Sequence, residues 1–308
     1  MAQEKEIWTR FYQLVGQDVQ IKSFHQIVQY LLQFASLPTI SSKDLAKGII
    51  MDPAISAKVL AIVNSPAVGL RYQVKDLAYA VSLLGHQQIR DIMLGIAIFN
   101  FSGKEEKQMV RIWKHSFYCA QISEILARAA GRLQAEAFTA GLLHDLGKII
   151  LESNNPSAFQ TALKNWEYHR GKLQYWESEK EILGMTHSEI GAMAGMLWKL
   201  PEEICYSILA HHAPKTGILK TEAEYLGQTA HIADLLCWVL NRSSLIGPNP
   251  FSLRKPETCL PDELLSPLGL NQQIYQEILP EIKEKISKSE TIFEWIKIQK
   301  ENFAKSAG

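Results

Sequence analysis

Apolar positions recur along most of this chain every three or four residues, the spacing that gathers them on one face of an α-helix. From Ser23 to Phe34 they are Phe24, Ile27, Val28, Leu31 and Leu32, and Leu37-Pro38 ends the run. Ser41-Ser42-Lys43-Asp44 reads as the cap of a helix to about Met51. Asp52-Pro53 opens the next, with Asp as cap and Pro at the first helical position, where its missing N–H costs nothing. Its inner face is Ile55, Val59, Leu60, Ile62 and Val63, and Asn64-Ser65-Pro66 stops it. A short helix from Asp76 to Leu84 closes at Gly85. The following one, over about 87–101, is apolar on most sides and is expected to be central.

A long helical pattern runs from Lys104 to Ala130 and ends at Gly131. Residues 133–152 read as one helix, Asn155-Pro156 begins another reaching about His169, and Leu173 to Leu183 is a short one before Gly184. Thr186-x-x-Glu189 is a capping-box pattern that puts His187 at the first helical position, and Gly191, Ala192 and Ala194 allow a close approach behind it. Pro201 begins a helix ending in His211-His212, and 221–241 is a helix carrying Asp234. Four prolines (Pro248, Pro250, Pro256, Pro261) make 242–262 an irregular connection, and two polar amphipathic helices follow near 271–288 and 291–304. No alternating strand pattern of useful length interrupts this, so the expected class is all-α.

Composition narrows the function. The 308 residues are 47% hydrophobic, ample for a buried core, and 32 basic residues balance 32 acidic ones. That balance argues against a nucleic-acid binder. The start, MAQEKEIWTRFYQ, is polar and unlike a signal peptide, and the longest apolar run, Ile92 to Phe101, is too short to span a bilayer. Four cysteines without C-x-x-C spacing fit a reduced, cytoplasmic protein.

The chemistry concentrates at Thr139 to Ile150, TAGLLHDLGKII, where His144 and Asp145 sit inside an apolar run. Charged residues are seldom fully buried unless they are paired or bind a metal. Neighbours on a helix project about 100° apart, so both reach one ion only where other helices close round it. His115, His187, His211, His212 and Asp234 are the groups that other helices could bring there. Imidazole suits zinc, iron or manganese, and a carboxylate can bridge two ions that clamp a phosphoryl group. The plainer readings are a hydrogen-bonded polar cluster, a helix-dipole role for His211 or His212, and a salt bridge for Lys148. His25, His86 and His169 read as ordinary solvated or hydrogen-bonded residues, and Glu181 as solvated or as a partner of a ligand imidazole. His231, one turn before Asp234, shares nearly its face.

The order H…HD…H…HH…D resembles the HD superfamily of metal-dependent phosphohydrolases. The surrounding phrases are closer to its sister branch, the HDOD domain (HD-related output domain). They are LPTI at 37–40, MDPAISAKVLAIVNSPAVG at 51–69, AVSLLG at 80–85, AGLLHDLGK at 140–148, GMTHSEIGAMAGMLWKLP at 184–201 and HHAP at 211–214. The resemblance implies an N-terminal helical subdomain (21–103) packed on an HD-like five-helix core (104–218). Residues 1–20 would be an extension, and 219–308 would complete the core through Asp234 and add C-terminal helices. It also implies a bacterial signalling role, as a regulatory module for a signalling protein or a small nucleotide-like ligand. The alternative is a phosphohydrolase or phosphodiesterase.

Carried over position by position, His115, His144, Asp145 and Asp234 hold one divalent ion. Asp145 bridges to a second held by His187, His211 and His212. Lys148 resembles the lysine that contacts substrate phosphate in HD enzymes, which makes Asp145 and Lys148 the candidate catalytic residues. Many HDOD domains have lost ligands, whereas this chain keeps the set. After His211-His212 comes Ala213-Pro214-Lys215-Thr216-Gly217 in place of a GYP segment, so the resemblance does not extend to cyclic dinucleotide hydrolysis.

Overall fold

The computed structural model describes residues 2–17, 19, 47–50, 52–64, 70–85 and 107–306, except 171, 216, 250 and 252. The helices expected at 23–34 and 87–101, the start of the one from Ser41, and His25 and His86 lie outside the described residues. Among the described residues there is no strand, and the chain is all-α.

In chain order the helices are α1 (Ala2–Val15), α2 (Pro53–Val63), α3 (77–85), α4 (Lys107–Ala129), α5 (Gln134–Leu143), α6 (Leu146–Asn154), α7 (Pro156–Tyr168), α8 (Tyr175–Leu183), α9 (His187–Leu197), α10 (Glu202–Ala210), α11 (Glu222–Val239), α12 (Asp262–Leu265) and α13 (Gln272–Ser306). Their starts are set by short-range caps. Asp52 Oδ1 accepts the Ile55 N–H (3.1 Å) and Asn155 Oδ1 the Ala158 N–H (3.1 Å). Thr186 and Glu189 exchange bonds as a capping box, which leaves His187 as the first residue of α9. Each such cap is worth about 1 kcal/mol and needs no tertiary partner.

Two expectations are corrected. The helix expected over 133–152 is two helices, broken at His144-Asp145, where Asp145 leaves helical geometry (φ −94°, ψ 15°). The break has a packing cause. A Cβ on Gly147 would land on the His187 carbonyl, and one on Gly191 would stand 2.8 Å from the Gly147 nitrogen, so α6 and α9 meet backbone to backbone. The two helices expected at 271–288 and 291–304 are the single helix α13, which runs through Pro280. Ser289, in the gap between the two expected helices, bonds back to the Lys285 carbonyl (2.9 Å) and across to Gln121 (2.8 Å), which ties this turn of the continuous helix to α4.

The core is built on α4, which packs against α5, α11 and α13. Helix α10 sits between α9 and α11, and α6 lies between α9 and α7. Counting the broken α5–α6 as one, α4, α5–α6, α9, α10 and α11 form a five-helix arrangement, with α2 packed on α4, α5 and α6. Helix α1 docks on α6, and Arg10 donates to the Leu183 carbonyl (2.6 Å). Ile112, Leu126, Leu143, Ile149, Ile190, Ile208 and Leu236 are fully buried between these helices. No helix of the described residues is long and apolar enough to cross a membrane.

Candidate metal centre

Five segments of the helical core deliver their polar residues to one buried point. His115 comes from the middle of α4, His144 and Asp145 from the α5–α6 break, and His187 from the first position of α9. His211 and His212 follow α10, and Asp234 lies on α11. All seven residues singled out as ligands from the sequence are brought together. His115, His144, Asp145, His187 and His211 have no solvent exposure and Asp234 has 6%, so the cluster sits where solvation has been lost and must be replaced.

The hydrogen bonds at the outer ring nitrogens decide how the imidazoles face one another. His115 Nδ1 lies 2.8 Å from the Arg242 carbonyl, His144 Nδ1 2.7 Å from Gly141 O and His211 Nδ1 2.7 Å from Ile208 O. A carbonyl only accepts, so each Nδ1 carries the proton and each Nε2 points inward. Glu179 Oε2 accepts the His187 backbone N–H (2.8 Å) and its Nδ1–H, giving His187 the same orientation.

The inward nitrogens then crowd. His115 Nε2 stands 3.1 Å from His144 Nε2, and His187 Nε2 stands 3.3 Å from His211 Nε2 and 2.9 Å from His212 Nε2. Two nitrogens bound to one ion at about 2.1 Å are about 3.0 Å apart at a right angle and about 3.4 Å apart at the tetrahedral angle. The observed spacings match ligands that share a cation, and the 3.1 Å between His115 and His144 equally suits a hydrogen bond from a protonated His115.

Asp145 lies between the two groups. Its Oδ1 is 3.4 Å from His187 Nε2, 3.6 Å from His144 Nε2 and 3.7 Å from His211 Nε2, and its Oδ2 is 3.5 Å from His115 Nε2. Asp234 Oδ1 is 3.2 Å from His115 Nε2, and its Oδ2 is 3.9 Å from His212 Nδ1. The Lys148 ammonium stands 2.8 Å from Asp145 Oδ1, and Asp234 Oδ1 faces the His115 ring; all of these groups are buried. Buried carboxylate oxygens facing several inward imidazole nitrogens are a donor set that suits a divalent cation.

Electrostatics carry the same signature. Burial, helped by neighbouring histidines and Lys148, depresses the imidazoles of His187 and His212 well below the ordinary range, and burial with His144 takes His211 down to about 3. Burial likewise lowers His144. These rings are neutral and available as ligands. Burial also works against a charged His115, but Asp234, Cys237 and Asp145 outweigh it and push the ring up to about 10. Burial opposes ionisation of the two aspartates as well. Lys148 and the histidines hold Asp145 well below the carboxylate range, and His115 takes Asp234 to about 2. The metal-free cluster thus keeps its carboxylates ionised by holding a proton on His115 and an ammonium on Lys148.

Lys148 is 2% exposed, donates to Asp145 Oδ2 (2.8 Å) and to Ser244 Oγ (3.0 Å), and lies 2.8 Å from Asp145 Oδ1. Its charge is spent inside the cluster. Glu179 was not singled out from the sequence, where Glu181 was weighed instead. Glu181 meets Asn165 at the surface (3.5 Å), while Glu179 is fully buried and burial pushes its carboxyl up to about 8. The signal was available: Glu179 is the one acid in the inner stripe Tyr175–Glu179–Leu183 of α8. His231 donates from Nδ1 to the His211 carbonyl (2.6 Å), fixing the backbone of a candidate ligand.

The family model of the HDOD domain matches residues 21–214. This chain belongs to the HDOD domain family. Among proteins similar to it is an uncharacterized protein of Treponema pallidum (strain Nichols), 24% identical over 186 residues, or 57% of this chain and 34% of that protein. The HDOD chain therefore spans about a third of the curated relative it matches. Its fold is similar to a virulence factor of Campylobacter jejuni (TM-score 0.68, 17% identity, 90% of this chain and 99% of the other). It is also similar to the MmoQ response regulator of Methylococcus capsulatus (0.61, 21%, 81% and 98%) and to an HDOD domain protein of Geobacter sulfurreducens (0.54, 21%, 92% and 98%). At these identities the likeness is one of fold.

Proposed function

We propose that this HDOD chain is a metal-dependent regulatory module of bacterial signalling, one whose buried centre holds one or two divalent ions. The observation that supports this most is the convergence of imidazole Nε2 atoms, at ligand-to-ligand spacings, round the buried carboxylate of Asp145. His115, His144, Asp145 and Asp234 would hold one ion, and His187, His211 and His212 with Asp145 the other. Iron, manganese and zinc all suit such a donor set. Bound there, a divalent ion supplies Lewis acidity toward a phosphate oxygen.

Regulation is favoured over turnover because the candidate phosphate-binding cation, Lys148, is buried and committed to Asp145 and Ser244. The module would act on a signalling partner or a small nucleotide-like ligand. Phosphoester hydrolysis is the second reading, and its support is the complete ligand set together with a solvent-facing edge at His212, whose side chain is 18% exposed.

The test is metal analysis by mass spectrometry on untagged full-length protein prepared without chelator. One to two equivalents of iron, manganese or zinc, lost in Asp145→Asn without loss of helicity, is the expected result. A value near zero that persists after reconstitution would overturn the metal reading. Turnover of nucleotides or phosphoesters by the loaded protein, abolished in the same variant, would replace regulation with hydrolysis.

A further inference from the structure

We infer that a recess beside His115, walled by Arg111, Lys114 and Arg242, binds a phosphate group, either free or as the terminal phosphoryl of a small molecule. The site is separate from the buried centre: of the seven residues clustered there, only His115 lines the recess. Phosphate would bind whether or not that centre holds metal.

The end of α11 builds one side of it. The Arg242 N–H returns to the Cys237 carbonyl (2.7 Å) and the Asn241 N–H to the Trp238 carbonyl (3.1 Å), with Asn241 at φ +56°. This paired closure satisfies the last carbonyls of a helix, and asparagine enters the left-handed region more readily than most residues. The chain thereby turns back over α4, where the Arg242 carbonyl accepts from His115 Nδ1 (2.8 Å) and the Arg242 side chain lines the recess. Arg111, one turn before His115, and Lys114 line it from α4, and Glu290 lines it from α13.

Glu290 is the acid of this recess, and it is already engaged, 3.3 Å from Lys114 Nζ and 3.0 Å from Arg242 Nε. Those contacts tie α13 to α4 and to the turn after α11, so Lys114 and Arg242 have a structural role. Arg111 has none of this kind. Among the described residues its hydrogen bonding is limited to a long contact with the Leu245 carbonyl (3.4 Å), its Nε is buried without a partner, and no acid pairs with it. Burial and the neighbouring Arg242 both lower its pKa, and no carboxylate opposes them. An arginine nevertheless keeps its proton at any ordinary pH, so a half-buried guanidinium beside another is unfavourable until an anion joins them. The guanidinium fork matches phosphate oxygens two N–H bonds at a time.

The recess measures about 180 Å³ and reaches solvent past Arg242, whose side chain is 37% exposed. A water needs about 10–15 Å³ of such space, and pockets for drug-sized ligands run to about 300–1,000 Å³. There is room for a phosphate and a few further atoms, and the remainder of a larger molecule would stay in solvent. A phosphate held here would also fix a segment that meets the buried centre twice, through the Arg242 carbonyl at His115 and the Ser244 hydroxyl at Lys148 (3.0 Å).

The deciding experiment is isothermal titration calorimetry of full-length protein, stripped of metal and freed of chelator, with inorganic phosphate, glycerol phosphate and AMP. Stripping removes any ion that could itself hold phosphate. One saturable site is expected, weakened about 10-fold or more in Arg111→Gln through loss of charge-assisted hydrogen bonds. Glu290→Gln, which frees Lys114 and Arg242, should tighten it. Binding of inorganic phosphate alone would identify the free anion as ligand, and equal or tighter binding of either ester would identify a phosphoryl group on a small molecule. No saturable binding of any of the three to the wild-type protein would overturn the site without recourse to variants. Unchanged affinity in Arg111→Gln, or parallel weakening in both variants, would overturn it as well.

Discussion

Replacing Lys148 by Met separates the two cations that compete for Asp145. In the metal-free protein the Lys148 ammonium is 2.8 Å from Asp145, and both side chains are buried. Methionine keeps much of the stem and removes the charge, leaving the carboxylate without its strongest cation. Breaking a buried pair by deleting one partner costs about 3–5 kcal/mol. Protonating Asp145 instead would cost about 4 kcal/mol at neutral pH, from an ordinary carboxylate pKa near 4, so it caps the loss in the same range. In the metal-loaded protein the divalent ions compensate Asp145. Lys148 then contributes chiefly its bond to Ser244, about 1 kcal/mol, and it sits beside like charge. The stabilisation conferred by saturating metal should therefore be larger in Lys148→Met than in the wild type, by about 2–4 kcal/mol. Urea unfolding of both proteins, stripped and saturated, followed by circular dichroism, measures all four corners of this cycle. Equal destabilisation with and without metal would refute the competition, and a greater loss in the loaded form would show that Lys148 supports the ions themselves.

Three further outcomes follow from the packing and electrostatics. Glu179→Gln should fold, yet bind metal about 10- to 100-fold more weakly in a competition titration with a chelating dye, because Glu179 fixes the His187 ring and backbone N–H; unchanged affinity would remove its positioning role. Gly147→Ala drives a methyl onto the His187 carbonyl, so a loss of about 2 kcal/mol or more in unfolding free energy is expected, by analogy with overpacked cores, together with weakened metal uptake. Full stability and normal metal binding in Gly147→Ala would contradict the backbone contact. Lys75 joins the segment before α3 to Glu203 (2.9 Å) and Glu222 (2.8 Å). Burial would raise the Glu203 pKa, but Lys75 overcomes it and holds the carboxyl below 4.5. Its stabilisation is therefore present above that pH and lost as pH falls through the lowered value. These groups are partly exposed, so the amount is about 0.5–1 kcal/mol, and the difference in urea midpoint between wild type and Lys75→Met should shrink on acidification below 4.5. A difference independent of pH would mean that Lys75 acts by packing alone.

What could be read along the chain, and what could not, differs in a regular way. His187 at the head of α9 was legible because Thr186 and Glu189 cap that helix within four residues. The Asp52-Pro53 and Asn155-Pro156 starts were legible for the same reason. The residues that meet at the cluster were legible as an ordered series of histidines and aspartates, and the HDOD family as the phrases round them. Glu179 was missed because choosing it over Glu181 requires the phase of α8 against the core, although the stripe through Tyr175 and Leu183 carries that phase.

The sequence by itself determined that the chain is helical, where most of its helices begin, which polar residues could meet a metal, and to which family it belongs. Caps, periodicity and residue chemistry act over one or two turns, and one strand of text records them in full. Only the tertiary structure decided that α5 and α6 break at His144-Asp145, that α13 continues through Pro280 and Ser289, that Lys148 is turned inward, and that Glu179 stands against His187. Those outcomes depend on helices remote in sequence pressing together: Gly147 against the His187 carbonyl, Ser289 against Gln121. The energy of such contacts exists only once the partners are in place, so no local window contains it.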